Sequence, residues 1–264
     1  MNQNSTPQFS RRSLLTTGGA LVAGSAVLAA CGGTKNPVTR LGAAPEIEKL
    51  AEEHVTDVAL LRTAMSFETM VSNIMLDSKV FAVADSTTAP IVEAFASAHK
   101  AHLSELASLI TARGGEPFTG TNEKLMTAYG QTMIDLVAEG KNKSDIAYLA
   151  HALESLTTST YQYFVTLANE AALRAQLIVM GASSARRAAV AAQLITPGTG
   201  AFATTLDETG SPAVDKDGNA LVATLPSAFG PLSSVQVVLG PVNPETQTRQ
   251  TVLCDTPSLN SFIY

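Results

Sequence analysis

The sequence predicts an all-α protein, an antiparallel four-helix bundle with a long crossover, followed by a small β-containing C-terminal extension. Three observations predict this class. Apolar residues recur at helical spacing through four long stretches between residues 46 and 195. Alanine, leucine and valine dominate and tryptophan is absent, a composition typical of helical bundles. From residue 196 onward the helical period disappears, and seven of the twelve prolines lie there.

The first thirty residues have the pattern of a targeting signal. A twin-arginine core, SRRSLL, occupies residues 10–15, and an apolar run continues to Ala30 without an acidic residue before position 31. That run is short and contains several glycines, which argues against a stable membrane span. We therefore interpret residues 1–30 as a signal peptide for export.

The apolar run ends in Leu28-Ala29-Ala30-Cys31, which resembles a bacterial lipobox. In signals of that kind the peptide is cut before the cysteine, and Cys31 then carries acyl chains that anchor the protein firmly. The alternative is a plain signal peptide cut at an A-x-A site, with Cys31 incidental. Because two motifs occur in the right order, we expect an exported protein held at the membrane through Cys31, with residues 31–45 as a polar tether.

The charge and the cysteine content exclude some partners and some sources of stability. Removing residues 1–30 takes away two of the 17 basic residues and none of the 23 acidic ones, which leaves a net charge of −8. Nucleic acid is a poor partner for such a chain, which also lacks a basic cluster. Beyond Cys31 only Cys254 remains, so no intramolecular disulfide is expected.

Polar residues interrupt the apolar faces of the first two predicted helices. The first helix is predicted from Glu46 to about Ala82, and Glu68 lies within its apolar face. The second is predicted over Ala89–Gly115, where His99 and His102 lie three residues apart inside the apolar stripe. A buried polar group needs a partner, so a metal, another side chain or plain core packing must satisfy these residues.

The second half of the predicted bundle repeats this pattern. An amphipathic segment at Asn122–Glu139 reads as a crossover helix. It leads to two long helical patterns, Ser144 to about Leu167 and Leu173–Leu194, whose short link predicts antiparallel packing. Glu154 and Arg187 are charged residues inside the apolar stripes of these two helices.

The C-terminal extension, residues 196–264, contains strand patterns. Ser233–Leu239 and Gln247–Cys254 read as two strands around a turn that contains glycine, proline and asparagine. A second hairpin is predicted over Ala213–Ala223, around an Asp-Gly pair. The segment is too poor in apolar residues for an independent domain, so we expect it to pack on the bundle.

Two antiparallel helix pairs joined by a long crossover resemble the ferritin-like superfamily, specifically its exported bacterial ferritin-like-domain proteins, over residues 46–195. The second helix also ends in Ala112-Arg113-Gly114-Gly115, which is similar to the corresponding helix end in that family. In its metal-binding members the first and third helices each supply a glutamate, and the second and fourth each supply Glu-x-x-His.

The resemblance assigns family positions to the buried polar residues. Glu68 and Glu154 match the first- and third-helix glutamates, and Tyr161 matches a tyrosine that often lies near the metal. His99 and His102 fall on the second-helix motif, with histidine where glutamate is expected. The fourth-helix motif falls on Ser184 and Arg187, where neither ligand type is kept.

These departures leave three interpretations open. Arg187 could bond Glu68, Glu154 or both, which would give a structural ionic core where relatives hold metal. Alternatively Glu68, His99, His102 and Glu154 could bind a single iron, zinc or manganese ion. In the third interpretation, the two histidines lie in the core and are hydrogen-bonded within a polar network.

The resemblance therefore implies a membrane-anchored, extracytoplasmic ferritin-like protein with a degenerate metal site and a binding or structural role. The enzyme-class alternative is an iron-binding oxidase or iron-handling protein with a reduced Glu/His site. The sequence shows no Ser/His/Asp order, phosphate loop or CxxC pair that would indicate other chemistry.

Overall fold

The structure is a computed structural model that describes residues 38–39, 56–197 and 234–256. Several predicted features lie outside this described part: the signal peptide, Cys31, most of the tether, residues 46–55 of the first predicted helix, and the hairpin at 213–223. The described residues are mainly helical, with a small sheet near the C-terminus.

Four long helices and three short ones occur in the described part of the chain. A π-helical stretch occupies Met126–Gly130. The helices are α1 (Asp57–Met75), α2 (Ser78–Phe81), α3 (Ala89–Thr111), α4 (Glu123–Leu125), α5 (Gln131–Gly140), α6 (Ser144–Leu167) and α7 (Ala171–Ile195).

The helix boundaries follow from local capping. Thr56 caps α1 by accepting the N–H of Ala59 at 3.1 Å. The predicted continuation to Ala82 is interrupted after Met75, because the side chain of Asp77 turns to accept the N–H of Lys79 at 2.8 Å and starts the short helix α2. The chain after α3 turns away at Gly114, whose φ of +73° favours glycine.

The long helices α1 and α3 run antiparallel. Near the start of α1, Arg62 donates to the carbonyl of Glu116, which follows the end of α3. Further along α1, Glu68 contacts His99 in the middle of α3. Helices α1 and α3 therefore run in opposite directions, as the sequence predicts for this pair.

The long helices α6 and α7 form the second antiparallel pair. Gly181 of α7 lies against Tyr161 of α6, so that an added Cβ would be 3.0 Å from the Cβ of Tyr161. Glu154, two turns earlier on α6, meets Arg187, which lies later on α7. The short link after α6 is bound to α1, because Asp57 accepts the N–H of Asn169 at 2.8 Å.

A small sheet follows the helices and has the order β1–β3–β2. Strands β2 (Ser234–Leu239) and β3 (Gln250–Asp255) pair antiparallel, with Val237 opposite Val252. Strand β1 (Val38–Thr39), within the segment interpreted as a tether, pairs parallel with β3. Strand β2 begins one residue after its predicted start at Ser233, and β3 begins at Gln250, three residues after its predicted start at Gln247.

The sheet packs directly on the helices, as expected for the extension. Asp145, at the start of α6, accepts the N–H of Gly240 at 2.9 Å and pairs with Arg249. Gly140, at the end of α5, approaches Gly240 so closely that a Cβ on Gly140 would lie 2.8 Å from the carbonyl carbon of Gly240. The ion pair between Asp145 and Arg249 was not predicted, because the two residues lie far apart in sequence.

The interior contains buried side chains from both helices and strands. Val237, Val252 and Cys254 of the sheet share one apolar cluster with residues of the helices, and Cys254 Sγ lies 3.7 Å from Met133 Sδ. Among the described residues, no helix is long and apolar enough to cross a membrane.

Candidate functional site

A layer of polar side chains separates two apolar clusters in the interior. One cluster includes Phe67, Val92 and Leu153, and the other includes Leu106 and other residues nearer the opposite end of the helices. On each long helix, polar residues lie where one cluster gives way to the other. We call this layer the polar centre; its members are Glu68, His99, His102, Glu154, Tyr161, Ser184 and Arg187.

The polar centre is almost closed to solvent. Glu68, His99 and Glu154 are completely buried, whereas His102 and Arg187 keep 9% of their surface exposed. Burying a charge costs several kcal/mol unless the charge is paired and hydrogen-bonded. The arrangement of partners therefore decides what this layer can do.

Both carboxylate oxygens of Glu68 are engaged. Its Oε2 contacts Nδ1 of His99, and its Oε1 lies 2.9 Å from Nδ1 of His102. The hydroxyl of Tyr161 also donates to Oε1, at 2.5 Å. Helix α1 thus places one carboxylate against two histidines of α3 and a tyrosine of α6.

His99 bridges two carboxylates through its two ring nitrogens. Its Nδ1 contacts Glu68, and its Nε2 lies 3.1 Å from Oε1 of Glu154. A carboxylate only accepts hydrogen bonds, so an imidazole that bonds one through each nitrogen must carry a proton on both. The geometry is that of an imidazolium held between two carboxylates.

Arg187 closes the network from α7. Its Nε donates to Oε1 of Glu154 at 2.6 Å, which selects Glu154 from the two partners that the sequence left open. Its Nη1 and Nη2 donate to the hydroxyls of Ser183 and Ser184 at 2.8 and 2.9 Å. The network then contains two carboxylates, one guanidinium and one imidazolium, so its formal charges balance.

The electrostatics of the two central groups follow from these contacts. Burial by itself raises the pKa of Glu68, but the charge of His99 and the hydrogen bonds from His102 and His99 outweigh burial and lower the pKa to about 2. Burial lowers the pKa of His99, yet the charge of Glu68 and the hydrogen bonds to Glu154 and Glu68 raise it to about 9. Burial and the nearby Glu68 raise the pKa of Tyr161, which keeps its donating proton.

The four residues predicted to bind a metal divide into a group of three and one separate residue. Glu68, His99 and His102 form one group, whose candidate ligand atoms lie within 4.8 Å of one another. Glu154 lies at the opposite nitrogen of the His99 ring and is turned toward Arg187. A carboxylate in that position orients a histidine rather than binding the same ion.

The residues fit a single metal ion better than a pair. Two bridged hard ions need several carboxylates, whereas the polar centre contains only Glu68 and Glu154, with the Arg187 guanidinium on the α7 side, so a di-metal centre does not fit. The two-histidine, one-carboxylate group on α1 and α3 does suit one transition-metal ion. One oxygen of Glu154, Oε2, is buried without a hydrogen-bond partner.

One residue that contacts the polar centre was not indicated by the sequence. Ser183 was not singled out, although its position one helical turn before Arg187 on α7 was a signal for this contact. His151 lies one turn before Glu154 and is 4% exposed, and burial lowers its pKa to about 4. His54 falls outside the described residues.

A cleft at the surface of the described structure is separate from the polar centre. Its volume is about 710 Å³, and its lining includes Tyr148, Leu194 and Arg249 near the junction of helices and sheet. None of the polar-centre residues lines this cleft. The polar centre is therefore not part of this cleft.

Comparison of the chain with protein-family models, with curated proteins and with solved structures finds no match.

Proposed function

We propose that this chain is an exported, lipid-anchored ferritin-like protein whose polar centre is a metal-free ionic core with a structural or binding role. The single observation that carries the proposal is the contact between Arg187 and Glu154, with His99 held between Glu154 and Glu68. With these partners the buried charges balance without a metal. A guanidinium fixed at the fourth-helix position takes the place that a cation would fill in a ferritin-like site.

The ferritin-like part of the proposal is supported by the arrangement of the long helices. Two antiparallel pairs, α1 with α3 and α6 with α7, are connected by the long segment that includes α4 and α5. A four-helix bundle with one long crossover is the arrangement of ferritin-like folds. Polar side chains from all four long helices meet at one level, which is where such folds build their sites.

A second candidate function is supported by a different observation. Glu68, His99 and His102 converge, and the outer carboxylate Glu154 contacts the far nitrogen of His99, an arrangement common around histidine ligands. These three residues would hold one iron, zinc or manganese ion once His99 has released a proton. A bound iron would supply redox chemistry, as in an oxidase or an iron-handling protein.

Metal analysis separates the two candidates. The purified chain is compared with a His99→Ala/His102→Ala variant by elemental analysis and by titration with ferrous iron in air. The proposed ionic core predicts no stoichiometric metal in either protein and no visible absorption on iron addition. Near-stoichiometric metal in the parent and none in the variant would overturn the ionic core in favour of the metal site.

The anchor is tested independently through Cys31. Replacing Cys31 by alanine removes the acylation site, so the chain is expected to lose its fatty-acid label, whether or not the signal peptide is still cleaved. Metabolic labelling with a fatty acid and fractionation of cells measure this. A Cys254→Ala variant is the matched control, because Cys254 is fully buried in the sheet and is expected to leave localisation unchanged. Equal fatty-acid labelling of the Cys31→Ala chain and the parent would contradict the proposal.

A further inference from the structure

Strand β1 lies close in sequence to Cys31, the residue interpreted as the lipid anchor. The strand begins at Val38, whose Cα pairs with that of Thr251 in β3. Residues 32–37 are all that separates the strand from Cys31. The sheet therefore holds the chain at a point inside the predicted tether, residues 31–45.

The parallel pairing of β1 with β3 determines the side from which the chain enters the sheet. Because the two strands run in the same direction, the chain enters β1 on the side where β3 begins. Strand β3 begins beside the turn that connects it to β2, since Arg249 donates to the carbonyl of Gly240 at 3.0 Å. Gly240 in turn donates its N–H to Asp145 at the start of α6. The chain that comes from the anchor thus reaches the sheet near the start of α6.

The start and the end of α6 mark two opposite ends of the helical part. At one end Ser144 of α6, Ile195 of α7 and Val242 of the turn line the same cleft, and we call this the sheet end. At the opposite end Asp57, which starts α1, accepts the N–H of Asn169, which follows α6. Helix α6 has 24 residues, so the two ends are separated by about 36 Å.

We propose that the sheet end, with the turn at residues 241–247, is the surface of this protein that faces the lipid bilayer. The inference rests on the proposed lipid anchor at Cys31. Seven residues span at most about 25 Å when fully extended, so Val38 lies within that distance of the anchor. If the opposite end faced the bilayer, Val38 would lie roughly 30 Å above it, because β3 begins near the sheet end. The connection is too short for that orientation.

The turn at the sheet end is open to contact with lipid head groups. Residues 241–247 are all exposed, and Val242 keeps 52% of its surface exposed. Glu245 is the single acidic residue of the turn, and the nearby Lys141 and Lys143 are exposed. One apolar side chain and two lysines give little membrane affinity by themselves. The anchor, rather than the composition of this surface, therefore holds the sheet end at the bilayer.

Fluorescent labels at the two ends test the orientation. Val242→Cys places a label on the turn, and Ala172→Cys places one at an exposed position at the opposite end. The acylated full chain is reconstituted into phosphatidylcholine vesicles that contain a lipid-linked acceptor dye. Energy transfer to the acceptor is expected to be several-fold stronger from Val242→Cys than from Ala172→Cys. The chain without an added cysteine measures the background, which is expected to be low because Cys254 is buried.

Two insertions test whether β1 determines the length of the connection. A Gly/Ser segment of about ten residues inserted after Gly33 lengthens the connection between Cys31 and β1. It is expected to weaken the energy transfer from the Val242→Cys label. The same segment inserted after Gly42 follows β1 and is expected to leave the transfer unchanged. Equal effects of the two insertions would overturn the proposal, because a tether that is not held by β1 responds to both alike.

Fatty-acid labelling of each variant separates a failure of the anchor from a failure of the orientation. Acylated chains that give equal transfer from the two labels, or stronger transfer from Ala172→Cys, would overturn the orientation and leave the anchor intact. Chains that carry no fatty acid would overturn the anchor and the orientation with it. Circular dichroism checks that each variant is folded.

Discussion

Replacing Arg187 by methionine is expected to lower the free energy of unfolding by about 3–5 kcal/mol. The variant keeps the length and apolar part of the side chain but removes the guanidinium that bonds Glu154 at 2.6 Å. Glu154 is completely buried and would lose its strongest partner. Chemical denaturation monitored by circular dichroism measures the loss.

A more exposed pair of the same residue types provides the control. Arg113 bonds Glu170, whose side chain is 53% exposed, so Arg113→Met is expected to cost at most about 1 kcal/mol. Adding Glu154→Gln to Arg187→Met should recover part of the stability, because an amide tolerates the loss of the cation better than a carboxylate does. Equal losses from Arg187→Met and Arg113→Met would contradict a paired buried charge at the polar centre.

The stability of the metal-free protein is expected to be greatest near pH 6.5 and to fall on both sides. The pKa of His99 is raised from 6.5 to about 9 on folding, so its contribution is complete below pH 6.5 and is lost as the pH rises to 9. At about 1.4 kcal/mol per pH unit this loss is roughly 3 kcal/mol. Unfolding curves recorded from pH 4 to pH 9.5 measure the effect.

Two other groups cause the loss of stability at acidic pH. The pKa of His151 falls to about 4 on folding because of burial, so its contribution is lost as the pH drops from 6.5 to 4. The pKa of Glu68 falls from 4.5 to about 2, so its contribution is lost below pH 4.5. His151→Leu should flatten the profile between pH 4 and 6.5 and leave the alkaline decline unchanged. A flat profile between pH 6.5 and 9 in the parent would contradict the assignment to His99.

The long helices and most members of the polar centre were predictable from the sequence. Helical spacing of apolar residues is a local signal, and it correctly placed α3, α6 and the two C-terminal strands within a few residues. A charged residue inside an apolar stripe is also a local signal. That signal alone identified Glu68, Glu154 and Arg187 as candidate site residues, and the structure buries all three together.

The pairings between helices were not predictable in the same way. Whether Arg187 bonds Glu68 or Glu154 depends on the rotation of α7 against α6, which one sequence does not define. The same limit applies to Asp145 and Arg249, whose contact spans more than one hundred residues. The end of α1 was missed for a local reason, since the capping side chain of Asp77 outweighs an otherwise continuous helical pattern.

The protonation of His99 tests the central claim most directly. Nitrogen-15 NMR of the imidazole in the purified protein distinguishes a protonated ring nitrogen from a bare or metal-bound one. The ionic core predicts that both nitrogens of His99 carry protons at pH 7 and that the ring loses one only near pH 9. A His99 with one metal-bound nitrogen at pH 7, or a neutral ring that titrates near pH 6.5, would contradict it.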